Sequence, residues 1–161
     1  MTVDLSLYLV TDSGIAAAAG HDIVEVVRRV TLRGVTAVQV REKDATARTF
    51  LDTVLRVAEA APDHVAVLVN DRVDVFLAAR DAGARVAGVH VGQSDLPPAV
   101  VRRLIGTNAV LGLSASTPEQ MAAASESRVV DYVGIGALHA TTSKRDAPSP
   151  LGMTSSPGWS R

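Results

Sequence analysis

The sequence predicts an α/β fold with a parallel sheet. Three observations predict it. Short Val- and Leu-rich runs recur along the chain. Helical patterns lie between them. The polar clusters sit at the carboxyl ends of the runs. The runs are 7–12, 37–43, 65–71, 88–92, 109–116 and 132–138, and their starts are 30, 28, 23, 21 and 23 residues apart. That step is one strand plus one helix plus two turns.

Each helix has its own signals. Over 22–33, Asp22 followed by Glu25 resembles a capping box, and Ile23, Val26, Val27 and Val30 form one apolar stripe. Over 46–60, Phe50, Leu51, Val54, Leu55 and Ala58 share a face. A shorter helix over 72–80 turns Val73, Phe76 and Leu77 to the sheet. The helix over 97–104 opens on prolines, which the first turn tolerates. Thr117, Pro118 and Gln120 give an N-cap, a first-turn proline and an amide three residues after the cap. Residues 16–19 read as a low-complexity loop or helix edge, and 152–161 as a flexible end. The expectation is therefore six strands and five helices.

Composition excludes several functions. With 47% hydrophobic and 20% charged residues, the 161-residue chain can bury a core of its own. A net charge of −1 gives no basic surface for nucleic acid or anionic lipid. The absence of Cys excludes disulfides, thiolate zinc and iron–sulfur sites. No apolar run reaches the ~18 residues of a membrane span, and the start lacks a basic signal-peptide region. The cytoplasm is the expected compartment. The 16 basic residues are nearly all Arg, a bias expected of a GC-rich genome, so Lys43 and Lys144 stand out.

Ligands of parallel α/β folds bind beyond the carboxyl ends of the strands. After the second run, Gln39, Arg41 and Lys43 alternate with Val38 and Val40 and share one face. Two cations and an amide on one face suit an anion with a hydrogen-bonding head. A surface salt-bridge loop has the same spacing. Asp71 and Asp95 follow the third and fourth runs, and each by itself reads as a cap of the next helix rather than as a ligand. Taken together beside cationic groups they fit Mg²⁺, which takes one or two carboxylates, keeps waters and shares phosphate oxygens. His90 reads as a packed residue, because no second His has ligand spacing to it. Ser114 and Ser116 end the fifth run. Thr141, Thr142, Ser143 and Lys144 make a hydroxyl-rich turn after the sixth, suited to phosphate or to solvent.

The ordered series Tyr8-Leu9-Val10-Thr11-Asp12, Gln39-Val40-Arg41-Glu42-Lys43, Val69-Asn70-Asp71, Gly88 through Asp95, Leu111-Gly112-Leu113-Ser114, Asp131 through Gly136 and Thr141-x-Ser143-Lys144 resembles thiamine-phosphate synthase over roughly residues 5–152. The resemblance implies a TIM (β/α)₈ barrel that joins a hydroxymethylpyrimidine pyrophosphate to a thiazole phosphate. Pyrophosphate leaves with Mg²⁺ assistance and the thiazole nitrogen captures a pyrimidine-methyl cation. By position, Gln39 and Asn70 would hold the pyrimidine. Arg41, Lys43 and Lys144 would bind the leaving pyrophosphate, with Glu42 in the same substrate-binding loop. Asp71 and Asp95 would ligate Mg²⁺. Ser114 would face the developing cation, and Thr141, Thr142 and Ser143 the thiazole phosphate. Lys144, Ser114 and Arg41 would carry the catalysis.

There are departures. The family's Gly-Pro after strand six is Gly136-Ala137 here, and its Thr-x-Thr is Thr141-x-Ser143. The family continues beyond this region into a helix and two more βα units bearing a glycine-rich phosphate loop. Strand starts from 7 to 132 average 25 residues apart, and eight such units need about 200 residues. The expectation is an incomplete barrel of about six units over 1–152, with an unrelated tail over 153–161 such as a frameshift or early stop would leave. Its open edges would favour self-association. Three readings follow: an active transferase, a remnant that binds only the pyrimidine pyrophosphate and Mg²⁺, and a thiazole tautomerase relative. Asp71, Asp95, Lys43 and Lys144 together favour the synthase, since an isomerase has no pyrophosphate to neutralise.

Overall fold

The computed structural model describes residues 3–136. Six strands are observed: β1 Tyr8–Val10, β2 Ala37–Val40, β3 Ala66–Asn70, β4 Gly88–Val91, β5 Val110–Ala115 and β6 Tyr132–Ile135. They alternate with six helices: α1 Ser13–Ala18, α2 Ile23–Thr31, α3 Ala47–Ala60, α4 Val73–Asp81, α5 Pro98–Ile105 and α6 Pro118–Ser127. All neighbouring strands pair in parallel, in the sequential order β1 to β6.

One helix departs from expectation. The stretch read as a loop or helix edge is α1, which has no buried residue. Its Ala run offers no apolar period, but Asp12 caps it by accepting from the Ile15 amide. The caps expected at Asp22 and Thr117 are observed, and Thr46 adds one the sequence reading did not name. Asp22, Thr46 and Thr117 each accept from the first turn of α2, α3 and α6. Glu25 does not close the capping box, because its carboxylate pairs with Arg28 and Arg29 instead.

The strands separate two kinds of packing. Val38, Val40, Val67, Val69, Val89 and Leu111 point outward and are buried against Val27, Phe50, Val54, Val57 and Phe76 of the helices. Each such side chain contributes about 1.5–3 kcal/mol by leaving water. The inner face is smaller in volume. Ala37, Leu68 and Val110 make its apolar floor, with Tyr8 and Tyr132 packed beside them. The hydroxyls of Tyr8 and Tyr132 lie 2.7 Å apart, so the sheet curls until its first and last strands face each other. Among the described residues, β1 pairs only with β2 and β6 only with β5. Val10 (50% exposed) and Val133 (38%) flank that gap.

Arginine supports this frame. Arg102 is largely buried and donates to the carbonyls of Gly106, Ala109 and Val129 and to Asp131. Asp131 in turn accepts from the Leu111 amide, fixing the start of β6 against β5. Arg80 and Arg85 likewise donate to carbonyls at the ends of α5 and α3, groups no helix can satisfy internally.

Candidate functional site at the carboxyl ends of the strands

A cleft of about 820 Å³ opens over the inner face at the carboxyl ends of the strands. Gln39, Arg41, Lys43, Asn70, Asp71, Asp95 and Ser114 all line it. Residues from four different strands and the turns after them therefore meet around one space, as strand alternation requires.

Arg41 is held from the β1 side. Its amide donates to Thr11 Oγ1 at 3.1 Å, and its Nη1 meets Asp12 Oδ2 at 3.3 Å. Only 11% of its side chain is exposed, and Nη2 is buried with no partner. A buried guanidinium nitrogen without an acceptor is costly, and an anion oxygen would satisfy it. Glu42 turns the other way. It accepts from Ser13 Oγ at the start of α1 and does not line the cleft.

Asp71 and Asp95 face one another at neighbouring strand ends. Neither acts as a helix cap. The N-cap of α4 is Arg72 and that of α5 is Pro97, each without a side-chain cap bond. Asp71 has φ 60°, a left-handed conformation that costs a non-glycine residue energy and persists where the surroundings impose it. Its amide donates to the His90 carbonyl at 2.8 Å, which ties the turn to β4. Asp95 accepts from the Gly92 amide at 2.7 Å. Burial, then the Asp95 charge and hydrogen bond, push the Asp71 carboxyl up to about 6, against the opposing influence of Asn70 and Arg41. Two converging carboxylates that repel each other match the donor preference of a hard cation. Among the described residues no third His, Cys, Asp or Glu joins them, so other ligands would come from water or a bound phosphate.

Below the acids lies a hydrogen-bonded row. Gln39 is 4% exposed and its Nε2 donates to the Tyr8 hydroxyl at 2.8 Å. Tyr8 meets Tyr132, which is 2.8 Å from His90 Nδ1, and His90 Nε2 is 2.9 Å from Ser114 Oγ. Burial raises both tyrosine hydroxyls above their ordinary range. His90 is buried, as expected of a packed residue. Its partners went unseen in the sequence because they lie 24 and 42 positions away. Tyr8 and Tyr132 are the two Tyr of the chain, and that rarity was the one available signal. Lys144, Thr141, Thr142, Ser143 and the expected tail 153–161 lie outside the described residues.

A family model described as thiamine monophosphate synthase matches residues 7–161. A thiamine-phosphate synthase from Clostridium beijerinckii is 41% identical over 148 residues, covering 91% of this chain and 67% of that protein. One from Solidesulfovibrio magneticus is 46% identical over 151 residues, covering 93% and 68%. The solved thiamine phosphate pyrophosphorylase from Pyrococcus furiosus superposes with a TM-score of 0.75 at 30% identity, covering 92% of this chain and 66% of that one. A Ruminococcus gnavus sialic acid aldolase, at 13% identity and a TM-score of 0.53, shares the fold alone. The chain thus spans about two thirds of the length of the relatives it matches.

Proposed function

The chain belongs to the thiamine monophosphate synthase family, and on that premise we propose that it condenses 4-amino-2-methyl-5-(diphosphooxymethyl)pyrimidine with 4-methyl-5-(2-phosphoethyl)thiazole. The products are thiamine phosphate and pyrophosphate. The C–O bond to pyrophosphate breaks, a C–N bond to the thiazole forms, and no proton is gained or lost. The observation that carries the reading is the convergence of Asp71, Asp95, Arg41 and Lys43 on one cleft.

Each residue has a role that needs no nucleophile or general base. Arg41, Lys43 and Lys144 neutralise the departing pyrophosphate. Gln39 and Asn70 orient the pyrimidine, and Ser114 faces the carbon that becomes cationic. Glu42 anchors the loop between Arg41 and Lys43 through Ser13. Thr141, Thr142 and Ser143 hold the thiazole phosphate. Asp71 and Asp95 hold Mg²⁺, whose donor preference they match. When bound there, Mg²⁺ supplies Lewis-acid stabilisation of the leaving phosphate oxygens. The setting we assign is the cytoplasm, on the sequence reading alone.

The test is formation of thiamine phosphate and pyrophosphate from both substrates with Mg²⁺. Turnover is the expected result. Binding of the pyrimidine diphosphate without turnover would instead favour a remnant that keeps only half the site, a reading supported by the edges of β1 and β6 that are unpaired among the described residues. Those edges, flanked by exposed Val10 and Val133, also support self-association of the chain. Sedimentation should show species larger than a monomer at micromolar concentration. A single, cooperatively melting monomer would refute that expectation.

A further inference from the structure

We propose that Tyr132 is a positioning residue, the central link of a one-way hydrogen-bond relay that ties the Gln39 amide to Ser114 and so sets which polarity of pyrimidine the cleft accepts. The relay rests on the aminopyrimidine reading for its ligand, but its own geometry is independent of it. Four bonds of 2.7–2.9 Å connect Gln39, Tyr8, Tyr132, His90 and Ser114, and both ends line the same cleft.

When each hydroxyl spends its one proton within the row, the direction of the first bond fixes the rest. Gln39 Nε2 donates to Tyr8. Tyr8 then donates to Tyr132, Tyr132 to His90 Nδ1, and His90 Nε2–H to Ser114 Oγ. The relay uses no proton of Ser114's own, which can therefore be given to a ligand. At the other end the Gln39 carbonyl stays available as an acceptor. Turning the Gln39 amide over reverses every bond. Ser114 would then donate to His90 and offer the ligand only a lone pair. The two cleft-facing ends therefore change together. In the sense set by Gln39 donating, the site asks for a donor at Gln39 and an acceptor at Ser114. A 4-aminopyrimidine carries both kinds of group. Its 4-oxo analogue places an acceptor where the amine was.

The fold makes room for the relay. In the register of the sheet Gly112 lies between His90 and Tyr132. A Cβ there would stand 2.2 Å from Tyr132 Cζ and 2.5 Å from His90 Nδ1. Gly134, opposite Ser114, would place one 3.1 Å from His90 Cε1. The two glycines let the imidazole and phenol meet across β5.

The experiment pairs nitrogen-15 NMR of His90 with calorimetric binding of two probes, 4-amino-5-hydroxymethyl-2-methylpyrimidine and its 4-oxo analogue. At about pH 8, where imidazole is neutral, wild-type His90 should show a protonated Nε2 and a bare Nδ1. Tyr132→Phe keeps the ring and removes only the donor. It should mix the two tautomers and reduce a preference for the amino probe of at least about tenfold to near unity. A wild-type His90 protonated at Nδ1, or a tautomer and preference unchanged in Tyr132→Phe, would overturn the relay. If Tyr132→Phe does not fold, the wild-type tautomer decides by itself. If the wild type binds neither probe, the pyrimidine reading fails, and the tautomer still decides the relay.

Discussion

Asp95→Ala should weaken Mg²⁺ binding by at least about 100-fold, measured by calorimetric titration of the metal into the chain. Asp95 is one of only two carboxylates that converge on the cleft among the described residues. Its loss halves the protein charge available to a cation that accepts few substitutes for carboxylate oxygen. The pH dependence follows from Asp71. Its carboxyl is raised from 3.8 to about 6, by burial first and by Asp95 second. The metal needs the ionised form, so affinity should fall about tenfold for each pH unit below that value. In the metal-free chain the sign is opposite. A raised folded value stabilises the protein below pH 3.8 and that contribution is lost as pH rises through about 6. Two units correspond to about 3 kcal/mol at most, and solvent access to this half-buried group reduces it to roughly 1 kcal/mol. Metal-free chain should therefore melt slightly lower at pH 7 than at pH 5, and Mg²⁺ should reverse the order. A pH-independent Mg²⁺ affinity between 5 and 7 would contradict the pairing of Asp71 with Asp95.

Gly88→Ala should cost roughly 3 kcal/mol or more, read as a lowered urea midpoint. Gly88 is buried at the start of β4, on the inner face, opposite Leu68 and Val110. A Cβ there would lie 1.9 Å from the Val110 carbonyl oxygen and 2.6 Å from its C and N. Those are backbone atoms of the next strand. No rotamer change relieves the contact, and β4 and β5 would have to part. Domains are commonly stable by only about 5–15 kcal/mol, so this one methyl removes a large share. A midpoint within error of wild type would show that the strands separate more easily than the geometry implies.

The strands were legible because a parallel sheet buried on both faces needs near-continuous apolar runs, and Val38, Val40, Val67 and Val69 supply them. Most observed ends fall inside the expected runs, since the polar residues after each strand belong to turns. The caps Asp22 and Thr117 were legible because a side-chain oxygen three residues before an amide is a local arrangement. Helix α1 was not, because it buries nothing and so carries no periodic signal.

At the site, local chemistry could name residues without choosing their role. Asp71 and Asp95 are as well suited to capping a helix as to holding a metal. Capping is excluded by φ 60° at Asp71 and by N-caps that fall one or two residues later, at Arg72 and Pro97. Glu42 shares a motif with Arg41 and Lys43, yet it points away from the cleft to Ser13, because it falls on the opposite alternation from Gln39, Arg41 and Lys43.

By itself, the sequence determined the order of the strands and of every helix but α1, their apolar faces and the family to which the chain belongs, because these depend on spacing along the chain. Tertiary structure decided which polar groups meet. Only the curl of the sheet brings Tyr8 of β1 to Tyr132 of β6, 124 positions later. Only parallel register sets His90 between Ser114 and Tyr132, over a glycine that leaves them room. Hydrogen bonds are fixed by distances of a few ångströms across strands, and such distances have no counterpart in sequence separation.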